Sequence, residues 1–243
     1  MKAFLYRIAE KYYKEYGSDI KKLVFVFPNR RAGLFFQKHL ASLSKQPLFS
    51  PFIFTISDFI TDLSGLLPAD KIRMLFMLYD IYTKRSGSEE SFDEFLYWGD
   101  ILLSDFDDVD KYLVNAKSLF TNVTDLHEID RDFEFLSVNQ VAAIRSFWTS
   151  FNPEKKKKNE DSFVAIWEIL FDIYTEFKSQ LKANSLGYEG MIFREVAEKC
   201  EQTIQQDMTY EKVIFVGLNA LTEAERKILL SLKKGGVAEF YWD

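Results

Sequence analysis

The sequence has little cysteine, histidine, glycine or proline. Its 243 residues include one cysteine, Cys200, and two histidines, His39 and His127. A single cysteine excludes a disulfide scaffold and is typical of the reducing cytosol, and two distant histidines cannot assemble a structural zinc site. Ten glycines and five prolines are too few for a loop-rich sandwich. These absences favour a cytoplasmic protein built from helices and a few buried strands.

Long hydrophobic runs are missing as well. No apolar stretch approaches the roughly 20 residues of a membrane span, and the N-terminus lacks the apolar region of a signal peptide. We therefore expect a soluble chain with no membrane partner. What the chain has instead is material for a core, because 47% of it is hydrophobic, with 24 Phe, 12 Tyr and 4 Trp. This composition excludes disorder.

Charge is distributed unevenly along the chain. The net charge is −6, yet residues 1–45 hold ten Lys/Arg against three acids, whereas residues 88–134 hold fourteen acids against three Lys/Arg. An acidic protein can therefore still present a basic surface to nucleic acid. The four lysines of Lys155–Lys158 suggest such a patch, but we interpret them as a solvated connection between helices.

Short apolar runs that alternate with helical patterns predict the fold. The runs are Leu23–Phe27, Phe52–Ile56, Val213–Val216 and Val237–Trp242. Runs of this length, rich in β-branched and aromatic residues, are typical of strands buried on both faces, and their alternation with helices predicts a mostly parallel, doubly wound α/β sheet. We expect residues 1–66 plus 205–243 to form this α/β domain.

The remaining residues, 67–204, are predicted to form a large all-helical insertion. We expect no strands from Pro68 to about Cys200, and Pro68 itself to open a helix. Capping-box patterns begin at Ser91, Ser137 and Thr222, the first two of them within the insertion, and Ser57-Asp58 is predicted to cap a short helix that ends near Gly65. Because the chain stops just after its last strand, we expect it to be part of a longer protein.

No known catalytic or nucleotide-binding motif is present. None of the ten glycines is followed by lysine, so the sequence has no P-loop, and G-x-G-x-x-G and G-x-S-x-G are also missing. The nuclease-like pairs Glu154/Lys156 and Glu176/Lys178 lie in a predicted loop and a predicted helix rather than on a strand. We interpret them as chance.

Three other features of the sequence suggest a site. The acidic cluster Asp105–Asp110 suggests calcium, but Val109 and Asp110 occupy positions where an EF-hand needs a ligand and a glycine. We predict a solvated helix start there instead. His127 is interpreted as a surface histidine, and Cys200 as a small packing residue. We therefore predict no metal, no cofactor and no catalytic residue.

The order of the motifs resembles that of a superfamily I helicase domain. Val24–Gly33 (VFVFPNRRAG) resembles motif Ia, and Phe54–Phe59 (FTISDF) resembles the next helicase element. Ile173–Glu189 resembles the helix and turn that precede the Walker B strand. Val213–Glu225 lies at the position of motif II. Over nearly all 243 residues the sequence is similar to the N-terminal region of AddB-like subunits of bacterial helicase–nucleases, the inactivated-helicase type.

This resemblance implies a P-loop-helicase-like sheet without ATPase activity. Active relatives use a lysine for phosphates and an Asp-Glu pair for magnesium, whereas Val216 and Gly217 occupy the Asp-Glu positions here. The resemblance further implies a scaffold in the processing of double-strand breaks and recombinational repair, an AddA-like partner subunit, and a nuclease outside these residues. It places the DNA-binding turns at Asn29, Arg30 and Arg31 and at Thr55 and Ser57, facing single-stranded DNA.

Two alternatives stay open. Arg30 and Arg31 could simply solvate a helix N-terminus or pair with the acidic insertion. The chain could also be a protein-interaction module whose acidic, aromatic helical block (Phe92, Phe95, Tyr97, Trp98 and Phe106) docks on a partner helicase subunit without direct DNA binding. Steep salt dependence distinguishes DNA contact from apolar docking.

Overall fold

A computed structural model describes residues 3–44, 46–124, 160–200 and 211–242. In these ranges the chain forms helices and short strands. The helices are α1 (Phe4–Tyr16), α2 (Arg30–Leu43), α3 (Ile56–Ser64), α4 (Lys71–Ser86), α5 (Phe92–Lys111), α6 (Ala116–Thr124), α7 (Glu160–Ala183), α8 (Glu189–Lys199) and α9 (Glu223–Lys234), and a 3-10 helix covers Gly17–Lys22. The strands are β1 (Leu23–Phe27), β2 (Phe52–Thr55), β3 (Leu67–Pro68), β4 (Leu186–Gly187), β5 (Lys212–Val216) and β6 (Ala238–Tyr241).

Four strands form one parallel sheet in the order β2-β1-β5-β6. The register pairs Phe27 with Thr55, Val26 with Phe215, and Val216 with Tyr241. The carboxyl ends of all four strands therefore lie level along one edge, which we call the carboxyl edge. The predicted α/β class, the four strands and their parallel arrangement are confirmed.

Hydrophobic side chains cover both faces of this sheet. On one face, Val24 and Val26 of β1 pack in a buried cluster with residues of α3, α8 and α9. On the other face, Leu23, Phe25 and Phe27 pack with residues of α1 and α2. Because successive side chains of a strand point to opposite faces, the continuous apolar run of β1 is what a strand covered by helices on both sides requires.

Several predicted helix ends are confirmed. Gly65 ends α3 with a φ of 69°, and Thr222 and Glu225 form a complete capping box at the start of α9. Ser91 and Glu94 likewise exchange hydrogen bonds before α5, with Ser91 N donating to Glu94 Oε2 over 2.9 Å. Cys200 is buried at the end of α8, as expected of a packing residue.

Three predictions about strands and caps are wrong. The cap of α3 is Thr55, whose Oγ1 accepts a hydrogen bond from Asp58 N, rather than Ser57-Asp58. Pro68 does not open a helix, because it lies in β3, which pairs with β4 in a separate parallel two-stranded sheet. The α4 helix begins at Lys71 with Asp70 as its cap. A strand at Leu186–Gly187 also contradicts the expectation that no strand lies between Pro68 and Cys200.

The acidic cluster Asp105–Asp110 is not a solvated helix start. It lies in the last two turns of α5, and the Asp110 carboxylate is fully buried. A helix cannot wrap these oxygens around one ion as an EF-hand loop does. Among the described residues, no group of three or more His, Cys, Asp or Glu side chains converges in a way that could hold a metal.

The chain divides into two compact units. The first comprises Met1–Ala69, Ser104–Leu113 and Leu181–Asp243, and the second Asp70–Leu103 and Val114–Gln180. The predicted domain boundaries at 66/67 and 204/205 stay a prediction. No helix in the described ranges has the length and apolar character needed to cross a membrane. His127, Ser137 with its capping-box pattern, and Lys155–Lys158 lie outside the described residues.

Candidate nucleic-acid interface

The carboxyl edge of the four-stranded sheet brings the predicted site residues together. Asn29, Arg30 and Arg31 follow β1, and Thr55 and Ser57 end β2 or follow it. Strand β1 lies between β2 and β5. The connection after β1 therefore leads to β2 on one side of it, whereas β5 and β6 lie on the other side. Such a reversal of strand order opens a crevice at the carboxyl ends of parallel strands, where ligands of open α/β sheets bind.

Asn29 positions the basic turn after β1. Its Oδ1 accepts a hydrogen bond from Ala32 N over 3.0 Å and so caps α2. The amide nitrogen of the same side chain makes no hydrogen bond within the described part of the chain, so it can donate outward. An N-cap of this kind fixes the first turn of the helix and directs the backbone N–H groups there toward the edge.

Arg30 and Arg31 occupy the first turn of α2 and are both exposed. The Arg30 side chain is 85% exposed, and its Nη2 lies 3.7 Å from Asp58 Oδ1. A pair this long and this exposed contributes little to stability. Arg31 forms no ion pair with any carboxylate that the structure describes. Both guanidinium groups can therefore reach an anion outside the protein.

The hydroxyl groups of Thr55 and Ser57 make different hydrogen bonds within the protein. Thr55 caps α3, so its oxygen accepts a hydrogen bond and its proton stays available. Ser57, by contrast, donates to Glu189 Oε1 over 2.5 Å. Its proton is thus engaged within the protein, and of the two hydroxyls only Thr55 offers a donor at this edge.

Glu189 and Lys111 hold the start of α3 to α8 and to the end of α5. Lys111 Nζ lies 2.5 Å from Glu189 Oε2 and 2.7 Å from Asp107 Oδ2. Burial alone would raise the pKa of Glu189, but the hydrogen bonds from Lys111 and Ser57 lower it below its ordinary value. Glu189 is therefore a charged acid, and with Asp58 it makes the α3 side of the edge acidic while the α2 side is basic.

The end of β5 carries no acid. Val216 is fully buried, and Gly217, with a φ of 72°, donates its backbone N–H to Tyr241 O over 2.8 Å. The positive φ turns the chain away from the strand, and this conformation favours glycine. The positions that resemble motif II thus make a tight apolar turn.

One further residue at this edge was missed by sequence reasoning. Trp242 follows β6 directly and is 55% exposed, and its ring stacks on Phe240 with centroids 6.5 Å apart. An exposed aromatic ring can stack on a nucleic-acid base. The sequence signal for it is the aromatic residue at the end of the last apolar run, a position that the strand prediction alone does not distinguish.

The aromatic residues of the alternative docking surface are mostly turned inward. Phe95 and Phe106 are buried, and Phe92 and Trp98 are half-buried. Only Tyr97, at 70% exposure, is largely accessible. The block as predicted therefore offers one free ring from its five aromatic residues.

No protein family and no curated protein matches the sequence of this chain.

Proposed function

We propose that this chain is a helicase-like scaffold that binds the phosphate backbone of single-stranded DNA at its carboxyl edge and does not hydrolyse ATP. The observation that carries the proposal is the position of Arg30 and Arg31, exposed in the first turn of α2 where the strand order reverses. Guanidinium groups and a helix N-terminus are both suited to phosphate oxygens. Asn29 and Thr55 add neutral donors beside them.

The absence of the residues that bind nucleotide phosphates and magnesium supports the proposed lack of ATP hydrolysis. Phosphoryl transfer needs a cation that cradles the phosphates and carboxylates that hold magnesium. No glycine of the sequence is followed by lysine, and the motif II positions are a buried valine and a glycine. The chain's own residues at the carboxyl edge can bind an anion but supply no ligand for magnesium at the motif II positions.

The wider role in the proposal comes from the resemblance described above. On that basis we propose that the chain acts within an AddB-type subunit in the processing of DNA double-strand breaks, together with an AddA-like helicase subunit. Phosphate contacts position a strand without reading its sequence. We therefore expect binding that does not depend on base order.

The alternative is a protein-interaction module that docks a partner helicase subunit without touching DNA. The exposed rings of Tyr97 and Phe76, at 70% and 51%, favour it. Apolar docking through such rings would depend little on salt, whereas phosphate binding weakens steeply as salt rises.

The proposal is tested by fluorescence anisotropy of a labelled thymidine oligonucleotide at low salt. The double variant Arg30→Ala/Arg31→Ala should bind more weakly, and the variant Asp58→Asn should bind more tightly because it removes the acid beside Arg30. The matched control is Lys233→Ala/Lys234→Ala, which removes two exposed cations at the far end of α9. Equal affinity of wild type and the arginine variant would contradict the proposal.

A further inference from the structure

Three aromatic rings stack in a column that begins in the core and ends at the carboxyl edge. Phe215 of β5 stacks on Phe240 of β6, with ring centroids 5.1 Å apart and planes 8° from parallel. Phe240 stacks in turn on Trp242, with centroids 6.5 Å apart and planes 11° from parallel. Phe215 is buried, whereas Trp242 is 55% exposed. The packing beneath Trp242 therefore orients its ring and leaves it open to a ligand.

Trp242 lies close to the two arginines of the DNA contact but belongs to the opposite face of the sheet. Phe215 and Phe240 pack in the cluster formed with α3, α8 and α9, whereas α2, which begins with Arg30 and Arg31, covers the other face. In the order β2-β1-β5-β6, β6 is two strands away from β1. Neighbouring strands are about 4.8 Å apart, so these two strand ends are separated by roughly 10 Å. A ligand that contacts both the arginines and Trp242 must therefore cross the carboxyl edge at the end of β5.

The charges along the carboxyl edge favour this path over the opposite one. On the β2 side, the acids Asp58 and Glu189 lie in the first turns of α3 and α8, and both are exposed. On the β5 side, the turn Gly217–Leu221 carries no charged side chain. Because like charges repel, a phosphate backbone held by Arg30 and Arg31 is disfavoured toward β2, whereas this turn does not repel it on the way to β6.

We propose that Trp242 stacks on a base of the bound strand, which runs from Arg30 and Arg31 across the end of β5 to this ring. The inference rests on the proposed binding of single-stranded DNA and names the residue that contacts its bases. Every base has a flat face, so stacking of this kind tolerates any sequence. A base in a duplex is already stacked between its neighbours, whereas an unpaired base is free to stack on Trp242. The ring therefore adds a preference for single strands to phosphate contacts that position any strand.

The surroundings of Trp242 favour a base over the apolar surface of a partner protein. In the adjoining turn after β5, Gly217 has no side chain, Leu218 is buried and Asn219 is polar. In the described part of the chain, β5, β6 and this turn present a single large exposed apolar side chain, that of Trp242. Protein interfaces, by contrast, have a hydrophobic core built from several side chains. A nucleotide combines one flat ring with an anionic phosphate, and the carboxyl edge offers one exposed ring and two guanidinium groups.

The test compares a labelled thymidine oligonucleotide with an abasic one of the same length, which keeps the phosphates but lacks the bases. Fluorescence anisotropy with the whole chain should show that the abasic strand binds about tenfold more weakly. Trp242→Ala should weaken binding of the thymidine oligonucleotide by a similar factor, and Trp242→Phe, which keeps an aromatic ring, should retain most of the affinity. Trp242→Ala should bind both oligonucleotides equally, because it has lost the ring that distinguishes them. Its salt dependence should match that of wild type, since no phosphate contact is removed.

The control variant is Tyr97→Ala, which removes a largely exposed ring of α5 and should bind both oligonucleotides as wild type does. Equal affinity of wild type for the two oligonucleotides overturns the inference, and so does a Trp242→Ala variant that still prefers the thymidine strand. In both cases the proposed function stands if Arg30→Ala/Arg31→Ala binds more weakly than wild type. If wild type binds neither oligonucleotide, the proposed function fails and the inference fails with it.

Discussion

Arg194 of α8 lies against Asp110 of α5, with 2.6 Å between Nε and Oδ1, and the Asp110 carboxylate is fully buried. Tyr188 donates its hydroxyl proton to the other oxygen of this carboxylate, and Arg194 Nη2 donates to Val109 O over 2.8 Å. The acid that looked like part of a surface cluster in the sequence is therefore the buried centre of a network that joins two helices of the first unit.

Removing the Asp110 carboxylate should destabilise the protein strongly. Asp110→Ala takes the buried carboxylate away from the Arg194 guanidinium, whose side chain is only 15% exposed, and the exposed Glu198 carboxylate, 3.5 Å from Nη1, is too weak a partner to replace it. Breaking one partner of a buried pair costs about 3–5 kcal/mol, and urea unfolding should show a loss of that size. Asp108→Ala, on the exposed side of the same helix, should not lower the free energy of unfolding. An unchanged midpoint for Asp110→Ala would show that the pair has no structural role.

Asp105 should make stability depend on pH. Burial, and then the nearby Asp108 carboxylate, raise the pKa of Asp105 from 3.8 to about 7, and its Oδ2 is buried without a hydrogen-bond partner in the described structure. The folded protein thus holds this proton more tightly than the unfolded chain. The resulting stabilisation is complete below about pH 4 and is lost as the pH rises through about 7.

The variant Asp105→Asn isolates this effect. At pH 8 it should unfold with a free energy higher than wild type by on the order of 2 kcal/mol, because it no longer buries a charge. The difference between the two proteins should shrink as the pH falls toward 4. A difference that stays constant over this range would show that Asp105 does not titrate there.

Sequence reasoning works well where one local pattern decides the structure. The run Leu23–Phe27 predicts a strand buried on both faces because it has no polar position to turn toward water. Thr222 and Glu225 predict a helix start because their side chains satisfy each other's backbone donors. Both patterns lie within a few residues, and both predictions are confirmed.

The wrong predictions concern residues whose structural partners are distant in the sequence. Asp110 is buried because Arg194 and Tyr188 reach it from another helix about 80 residues further along the chain, and no local pattern reports that. The strand at Leu186–Gly187 exists only through its pairing with Leu67–Pro68. In the site, Ser57 donates a hydrogen bond to Glu189, which lies 132 residues further along the chain, and no local pattern in the sequence indicates this bond.

The proposed lack of ATPase activity predicts a negative titration. Isothermal titration of the chain with Mg-ATP should show no saturable binding at millimolar nucleotide, and phosphate release should match a buffer blank, because neither a P-loop lysine nor motif II carboxylates are present. Saturable binding at micromolar nucleotide would overturn this part of the proposal.

The salt dependence of DNA binding tests the central claim most directly. Each phosphate neutralised on a single strand contributes about −0.7 to the slope of log Kobs against log salt concentration. Arg30→Ala/Arg31→Ala should therefore flatten the slope for a thymidine oligonucleotide by about 1 to 1.5 relative to wild type. The loss should be equal for oligonucleotides of unrelated sequence, and Lys233→Ala/Lys234→Ala should keep the wild-type slope. A slope that is the same in wild type and in the arginine variant would show that these two residues do not contact the DNA backbone.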